Sequence, residues 1–184
     1  METKDTSISK KENIFSYAES LVYAVIGVII ILTFIFRIIV VSGSSMNPTL
    51  INGDTVLIFK NYTEVKQGDV IVLDSDKLGK NLVKRVIATE GQTVYIDPLT
   101  GDVYVYEDEK GVPLNEDYIA EKIDMDHLGT IKYPYTVPEN HIFVMGDNRN
   151  ASTDSRELGA VDEKSVAGKV LFRIGPKGYT GKIK

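Results

Sequence analysis

Cysteine is absent from this sequence of 184 residues. The chain can therefore form no disulfide, and it has neither a thiol nucleophile nor a thiolate ligand for a metal. Histidine is scarce as well, since only His127 and His141 are present. Each is most simply a surface or turn residue, and two isolated histidines without a third ligand argue against a zinc centre. No cofactor is expected.

An excess of basic residues is also lacking. The formal net charge is −5 at pH 7, which argues against non-specific nucleic-acid binding because such binding requires a basic surface. Acidic and basic side chains balance within residues 1–41, so the negative charge falls on the rest of the chain. The length suits one globular domain plus a smaller segment.

A long apolar run lies near the N-terminus. Residues 21–41 contain one charged side chain, Arg37, and as a helix they would span about 31 Å, close to the roughly 30 Å of a hydrocarbon core. They are predicted to form a transmembrane helix between a tail of residues 1–20 and a globular part of residues 42–184. A cleavable signal peptide is the alternative, because small residues follow the apolar run.

The basic residues around this run predict its orientation. Lys4, Lys10 and Lys11 precede it, whereas Arg37 is the one basic residue close to its C-terminal end. The positive-inside rule then places the N-terminus in the cytoplasm and residues 42–184 outside the membrane.

Beyond residue 54, short β-rich runs alternate with Gly, Asp and Asn turns. The predicted strands are residues 55–59, 70–73, 82–88, 93–96, 103–106, 142–145 and 169–174. Short strands at this spacing predict a mainly β fold, an all-β antiparallel sandwich or barrel. Residues 97–136 are richer in acidic side chains and predict an acidic insertion or subdomain, whose charges are most simply a solvated face.

Residues 42–50, with the sequence SGSSMNPTL, form the first candidate for chemistry. Gly43 can adopt backbone conformations closed to other residues, and Pro48 fixes its own φ. A serine on such a turn can present its hydroxyl and its backbone N–H on one side, as acyl transfer requires. A Ser/Gly linker leaving a membrane anchor is the alternative, and a base elsewhere in the chain would decide between them.

Lys84 is the best candidate for that base. Strand alternation places it on the face of Leu82 and Val86, opposite to Arg85. Apolar surroundings disfavour a charged amine and lower its pKa from a reference value of about 10.4. Serine–lysine pairs are an attested variant of the nucleophile–base arrangement. A lysine that protects an edge strand from aggregation is the competing interpretation.

Residues 146–156, with the sequence GDNRNASTDSR, follow the predicted strand 142–145 directly. Two aspartates and two arginines so close together predict charge-assisted pairs that hold an irregular backbone. A preorganised site requires such support. A solvated polar loop is the alternative.

These three motifs, in this order behind an apolar segment, resemble the bacterial type I signal peptidases, which use a serine–lysine dyad. The resemblance covers most of the chain except residues 97–136. It implies that Ser45 is the nucleophile and that Lys84 is the general base. It further implies that Ser152 orients the amine, that Asp147, Asp154 and Arg156 support the site, and that Gly43, Ser44, Met46 and Pro48 form the oxyanion hole and substrate groove. Some members have a serine at the position of Gly43, so the second oxyanion donor stays open between a backbone group and a neighbouring hydroxyl.

The resemblance also implies the substrate and the location. The substrates would be secreted preproteins with small residues at positions −1 and −3, and further partners would be membrane lipid and the translocation machinery. A lysine base and a single anchor resemble enzymes of the Gram-positive plasma membrane, although mitochondrial and plastid relatives also use lysine. Two other functions stay open: self-cleavage, as in SOS repressors with the same dyad, and a catalytically silent anchored β-domain.

Overall fold

The computed structural model describes residues 3–75, 80–107, 111–175 and 180–183. The chain divides into two units, residues 1–36 and residues 37–184. The first unit consists of helix α1, Thr3–Ile35. Within α1, the 21 residues Phe15–Ile35 are long and apolar enough to cross a membrane, because they span about 31 Å at about 1.5 Å per residue.

The apolar run of the sequence is divided between a helix and a strand, so the predicted helix boundary at residue 41 is wrong. Helix α1 ends at Ile35, and the next residues form strand β1, Phe36–Val40. Val41 then donates its N–H to the Asp54 carbonyl at 2.7 Å and accepts from the Gly53 N–H at 2.9 Å. The run ends in β-branched residues, which favour strands over helices. Hydropathy alone cannot locate this change because both elements are apolar.

The second unit contains two antiparallel sheets. Its remaining strands are β2 Thr55–Phe59, β3 Val70–Ser75, β4 Lys80–Ala88, β5 Thr93–Ile96, β6 Val103–Tyr106, β7 Gly111–Pro113, β8 Tyr135–Thr136, β9 His141–Met145, β10 Val161–Asp162, β11 Val166–Ile174 and β12 Thr180–Lys182. Within the described residues of this unit, helical structure is limited to short pieces, namely helix α2 Ser155–Leu158 and the 3₁₀ turns Met125–His127 and Glu163–Ser165. All seven predicted strands are present, and the prediction of a mainly β antiparallel fold is confirmed.

The larger sheet has eight strands in the order β1-β2-β11-β3-β4-β9-β10, with β12 paired to β11. Strand β4 pairs with β3 along its length up to Arg85, whereas its pairing with β9 begins at Arg85. Among the residues that the structure describes, Asn81, Leu82 and Val83 thus pair with β3 and with no strand on their other side. Strand β4 also divides two cores, because Val86 packs with Val144 while Val83 packs against a cluster around Met46. The predicted alternation of faces is correct.

The smaller sheet has the strand order β7-β6-β5-β8. Its first strand begins at Thr93, before residue 97, where the predicted acidic insertion starts. Apolar side chains of the sheet, among them Val94 and Val103, share a buried core with Phe143 and Met145 of β9. We call residues 93–136 the small-sheet subdomain.

Candidate active site

Residues 42–50, which we call the serine turn, are held by buried apolar side chains. Met46 is 1% exposed and Leu50 is 0% exposed, and the Leu50 N–H donates to the Met46 carbonyl at 2.9 Å. Ser45 is half-buried beside these anchors. Within the described residues, neither its hydroxyl nor its N–H has a hydrogen-bond partner, so both groups are open to a ligand.

Gly43 fits the turn for a conformational reason. Its φ is +102°, in the region that strongly favours glycine. Its N–H donates to the Asn52 side-chain oxygen at 3.0 Å. An oxyanion could therefore use the Gly43 N–H only by displacing Asn52.

Lys84 is buried more completely than the sequence predicts. It is 2% exposed, and its Nζ donates to Ser152 Oγ at 2.8 Å. Strand β4 therefore directs the lysine towards residues 146–156, which we call the site loop. Ser152, which the resemblance implies orients the amine, is thus in direct contact with it.

Asp154 and Arg156 form the ion pair that the loop sequence predicts. Arg156 donates Nε and Nη2 to the two carboxylate oxygens, each at 2.9 Å, and the Gly146 N–H donates to Oδ2 at 3.0 Å. Burial would raise the pKa of Asp154, but the charge and hydrogen bonds of Arg156 and the Gly146 N–H together hold that pKa below its usual range. The charged Asp154 carboxylate therefore holds Gly146 and Arg156, at the two ends of the loop, together.

Asp147 finds its partner outside the site loop. Arg85 donates Nε and Nη2 to the carboxylate, each at 2.8 Å, and both side chains are buried. Thr49 of the serine turn also donates its hydroxyl to Asp147. One carboxylate thus joins the serine turn, strand β4 and the site loop. The sequence predicts charged pairs here, but it identifies neither Arg85 nor Thr49 as partners.

Gly146 lies between the Ser45 backbone and the Ser152 side chain. A Cβ added at this glycine would lie 2.3 Å from Ser152 Oγ and 2.4 Å from the Ser45 carbonyl oxygen. The Asn148 N–H also donates to the Ser45 carbonyl at 2.9 Å. The serine turn and the site loop, which lie far apart in sequence, therefore meet at one residue without a side chain.

A groove of about 670 Å³ opens beside these residues. It is lined by residues 39–46, residues 81–84, Ala151 and Thr153, so Ser45 and Lys84 share it. The predicted groove residues Gly43, Ser44 and Met46 line it as well. Pro48 does not, in contrast to the prediction, because Met46 and Leu50 turn inward and leave Pro48 exposed on the turn.

Neither histidine takes part in this arrangement as a side-chain base. The His127 carbonyl accepts from Arg156 Nη1 at 2.8 Å, and His141 Nδ1 lies 2.7 Å from the Glu139 carbonyl. Within the part of the chain that the structure describes, no cluster of three or more His, Cys, Asp or Glu residues could hold a metal ion.

Comparisons with known proteins identify the family of this chain. The family described as "Signal peptidase, peptidase S26" matches residues 14–174. Signal peptidase I S of Bacillus subtilis (strain 168) is 37% identical over 94% of this chain and 95% of its own. Signal peptidase I of Bacillus licheniformis is 34% identical over 95% of both chains. A solved signal peptidase I from Enterococcus faecalis V583 is 33% identical, with a TM-score of 0.47 over 58% of this chain and 97% of that one.

These matches first define the class of the protein, which is a serine endopeptidase. The chain belongs to the signal peptidase family, peptidase S26. The resemblance drawn from the three motifs is thereby confirmed. Helix α1 is consistent with the membrane anchoring of such enzymes.

Proposed function

We propose that this protein removes signal peptides from secreted preproteins, with Ser45 as the nucleophile and Lys84 as the general base. One observation carries the proposal. A lysine amine that is almost fully buried is held by Ser152 Oγ at 2.8 Å and lines the same groove as Ser45. A lysine on an apolar face can serve as a base, because burial favours its neutral form.

The reaction would proceed through an acyl-enzyme. The neutral Lys84 amine takes the proton of the Ser45 hydroxyl while the Ser45 oxygen attacks the scissile carbonyl. Lys84 then gives that proton to the departing amine, and water hydrolyses the resulting ester with Lys84 again as the base. The Ser45 N–H, which has no partner within the described residues, would stabilise the developing oxyanion.

Ser152 would act by orienting Lys84. Its hydroxyl accepts from the amine and limits the rotation of a long, flexible side chain. Asp154 and Arg156 would fix the backbone on either side of Ser152, since Arg156 Nη2 also donates to the Ser152 carbonyl at 3.3 Å. Asp147 would fix the loop against β4 through Arg85.

The substrate would bind as an extended chain between β1 and β4. Within the described residues, Asn81, Leu82 and Val83 of β4 pair with β3 and with no strand on their other side, and added strands commonly bind such edges. In an extended peptide, alternate side chains point to one face. The residues at −1 and −3 would therefore both face the groove, whose lining includes the apolar Ile39, Met46 and Leu82. Small substrate side chains at −1 and −3 would fit against these apolar lining residues.

The same proposal places the enzyme in a bacterial plasma membrane of the Gram-positive type. Its N-terminus would be cytoplasmic and its catalytic unit extracytoplasmic, as the basic residues before the apolar run indicate. Lipid would surround the helix. Contact with the translocation machinery would bring preproteins to the groove as they emerge.

The test is cleavage of a preprotein whose signal ends in Ala-x-Ala, by the full chain in detergent. We expect cleavage at that junction by the native protein and none by Ser45→Ala or Lys84→Ala. Lys66→Ala is the matched control, because this lysine is exposed on the surface, and it should cleave normally. Cleavage by Ser45→Ala or Lys84→Ala, loss of activity in a chelator, or a cut confined to the enzyme's own chain would contradict the proposal.

A further inference from the structure

The small-sheet subdomain carries none of the residues assigned to the reaction, yet residues 116–131 of it contact the site loop repeatedly. The Asp124 N–H donates to Asn150 Oδ1 at 3.0 Å, and Asn150 Nδ2 donates to the Lys122 carbonyl at 3.1 Å. Further along, the Thr130 N–H donates to the Arg156 carbonyl at 2.9 Å. Contacts at both Asn150 and Arg156 mean that this segment supports the loop along its length.

Glu116 pairs with a buried charge of the loop. The Arg149 side chain is buried, and its Nη2 forms an ion pair with the Glu116 carboxylate. Arg149 Nη1 is buried and has no hydrogen-bond partner within the described residues. Glu116 is therefore the acidic group that directly pairs with a guanidinium removed from water, and losing it would leave an uncompensated buried charge.

Arg149 connects Glu116 to Gly146, and through Gly146 to Ser45 and Ser152. Its Nε donates to the Gly146 carbonyl at 3.1 Å. Gly146 is the residue packed against both Ser152 Oγ and the Ser45 carbonyl. Any movement of the guanidinium would shift the peptide on which Ser152 and the serine turn meet.

Tyr118 holds the second arginine of the site. The Arg85 guanidinium carbon lies 3.9 Å from the centre of the Tyr118 ring, a cation–π distance. The Tyr118 hydroxyl donates to Glu116 at 3.0 Å, and burial raises the pKa of this phenol, so it stays a donor. Arg85 in turn follows Lys84 on β4 and grips Asp147.

We propose that Glu116 and Tyr118 are positioning residues for the site of Ser45, Lys84 and Ser152. Through Arg149 and Arg85 they fix Gly146 and Asp147, where the site loop meets both the serine turn and β4. This inference rests on the proposed function. Without these contacts the loop can shift, and Ser152 no longer holds the amine in line. The groove walls belong to other elements and remain, so the chemical step slows while substrate binding is retained.

The experiment measures kcat and KM for Ala-x-Ala preprotein cleavage by the full chain, together with the rate at which a serine-directed acylating probe labels Ser45. The variants are Glu116→Gln, Tyr118→Leu and Tyr118→Phe, and each melting temperature is recorded. Matched controls come from the same subdomain. Asp102→Asn removes an ion pair with Lys122, and Tyr104→Leu removes a ring that packs on Tyr95.

We expect Glu116→Gln and Tyr118→Leu to lower kcat and the labelling rate about 10- to 100-fold, with KM changed less than about 2-fold. Tyr118→Phe keeps the ring over Arg85 and should retain most of the rate. Asp102→Asn and Tyr104→Leu should cleave like the native protein.

Folded Glu116→Gln and Tyr118→Leu variants with native kcat and labelling rates would overturn the proposal. Equal losses in Asp102→Asn and Tyr104→Leu would also overturn it, because the effect would then be general destabilisation. If Glu116→Gln does not fold, the difference between Tyr118→Leu and Tyr118→Phe decides. A native protein that labels at Ser45 but does not cleave preproteins would refute the proposed substrate alone, since the labelling rates still test Glu116 and Tyr118.

Discussion

The serine turn and the site loop both contribute to one groove, but different kinds of interaction hold them. The serine turn is held by two apolar side chains, Met46 and Leu50, which are buried in a core. The site loop is held by buried ion pairs, in which Asp147 contacts Arg85 and Arg149 contacts Glu116. Apolar burial is non-directional, whereas paired charges fix orientation as well as position. The loop therefore supplies the directional precision that the Lys84 amine requires in the proposed reaction.

Removing a buried carboxylate from the site loop should be the most damaging change. Asp147→Ala leaves the Arg85 guanidinium buried without its bidentate partner, and we expect a loss of about 3–5 kcal/mol in the free energy of unfolding. Denaturant unfolding of the full chain in detergent measures it. Glu64→Ala removes a carboxylate from an exposed pair with Lys66 and should leave the curve unchanged. If Asp147→Ala unfolded like the native protein, the site loop would not depend on this buried ion pair, and its contrast with the serine turn would fail.

The point where loop and turn meet should be the next most sensitive. The methyl group of Gly146→Ala would lie within 2.5 Å of both the Ser45 carbonyl and Ser152 Oγ, so the two elements must separate. We expect kcat/KM for preprotein cleavage to fall about 100-fold or more, equivalent to about 2.7 kcal/mol. Gly181→Ala, whose methyl group would meet open space, is the control. Unchanged cleavage by Gly146→Ala would mean that this contact does not position the site.

The smallest effect should come from an apolar exchange in the serine turn. Met46→Leu keeps the volume and the apolar character of the anchor, so we expect a loss of less than about 1.5 kcal/mol in the free energy of unfolding. Met46→Ala leaves a cavity and should cost about 2–5 kcal/mol. The same unfolding experiment compares the two variants. Equal losses in both would show that the turn depends on the shape of this side chain, not on apolar burial.

Local signals predicted much of the molecule. The strands at residues 55–59, 93–96 and 103–106 have the predicted bounds, because alternation and turn residues act over a few positions. Alternation also predicted the apolar face of Lys84, although not the extent of its burial. The end of the helix could not be predicted, since an apolar run is compatible with a helix and with a strand.

Long-range pairing could not be predicted. The two aspartates of the site loop were expected to find partners, but Asp147 pairs with a residue 62 positions earlier in the chain. Glu116 seemed one of many solvated acids, yet it lies against buried Arg149. Nothing in the local sequence separates Glu116 from its acidic neighbours, because the difference arises from the folded path of the small-sheet subdomain.

In the proposed binding mode, the open strand edge at residues 81–83 has a consequence for the range of substrates. An open strand edge binds an added strand through backbone hydrogen bonds, and every polypeptide has the same backbone. An enzyme with such an edge selects substrates by their extended conformation and by the size of a few side chains, and it does not require a particular sequence. One catalyst can then serve a whole secretome whose members share no common sequence.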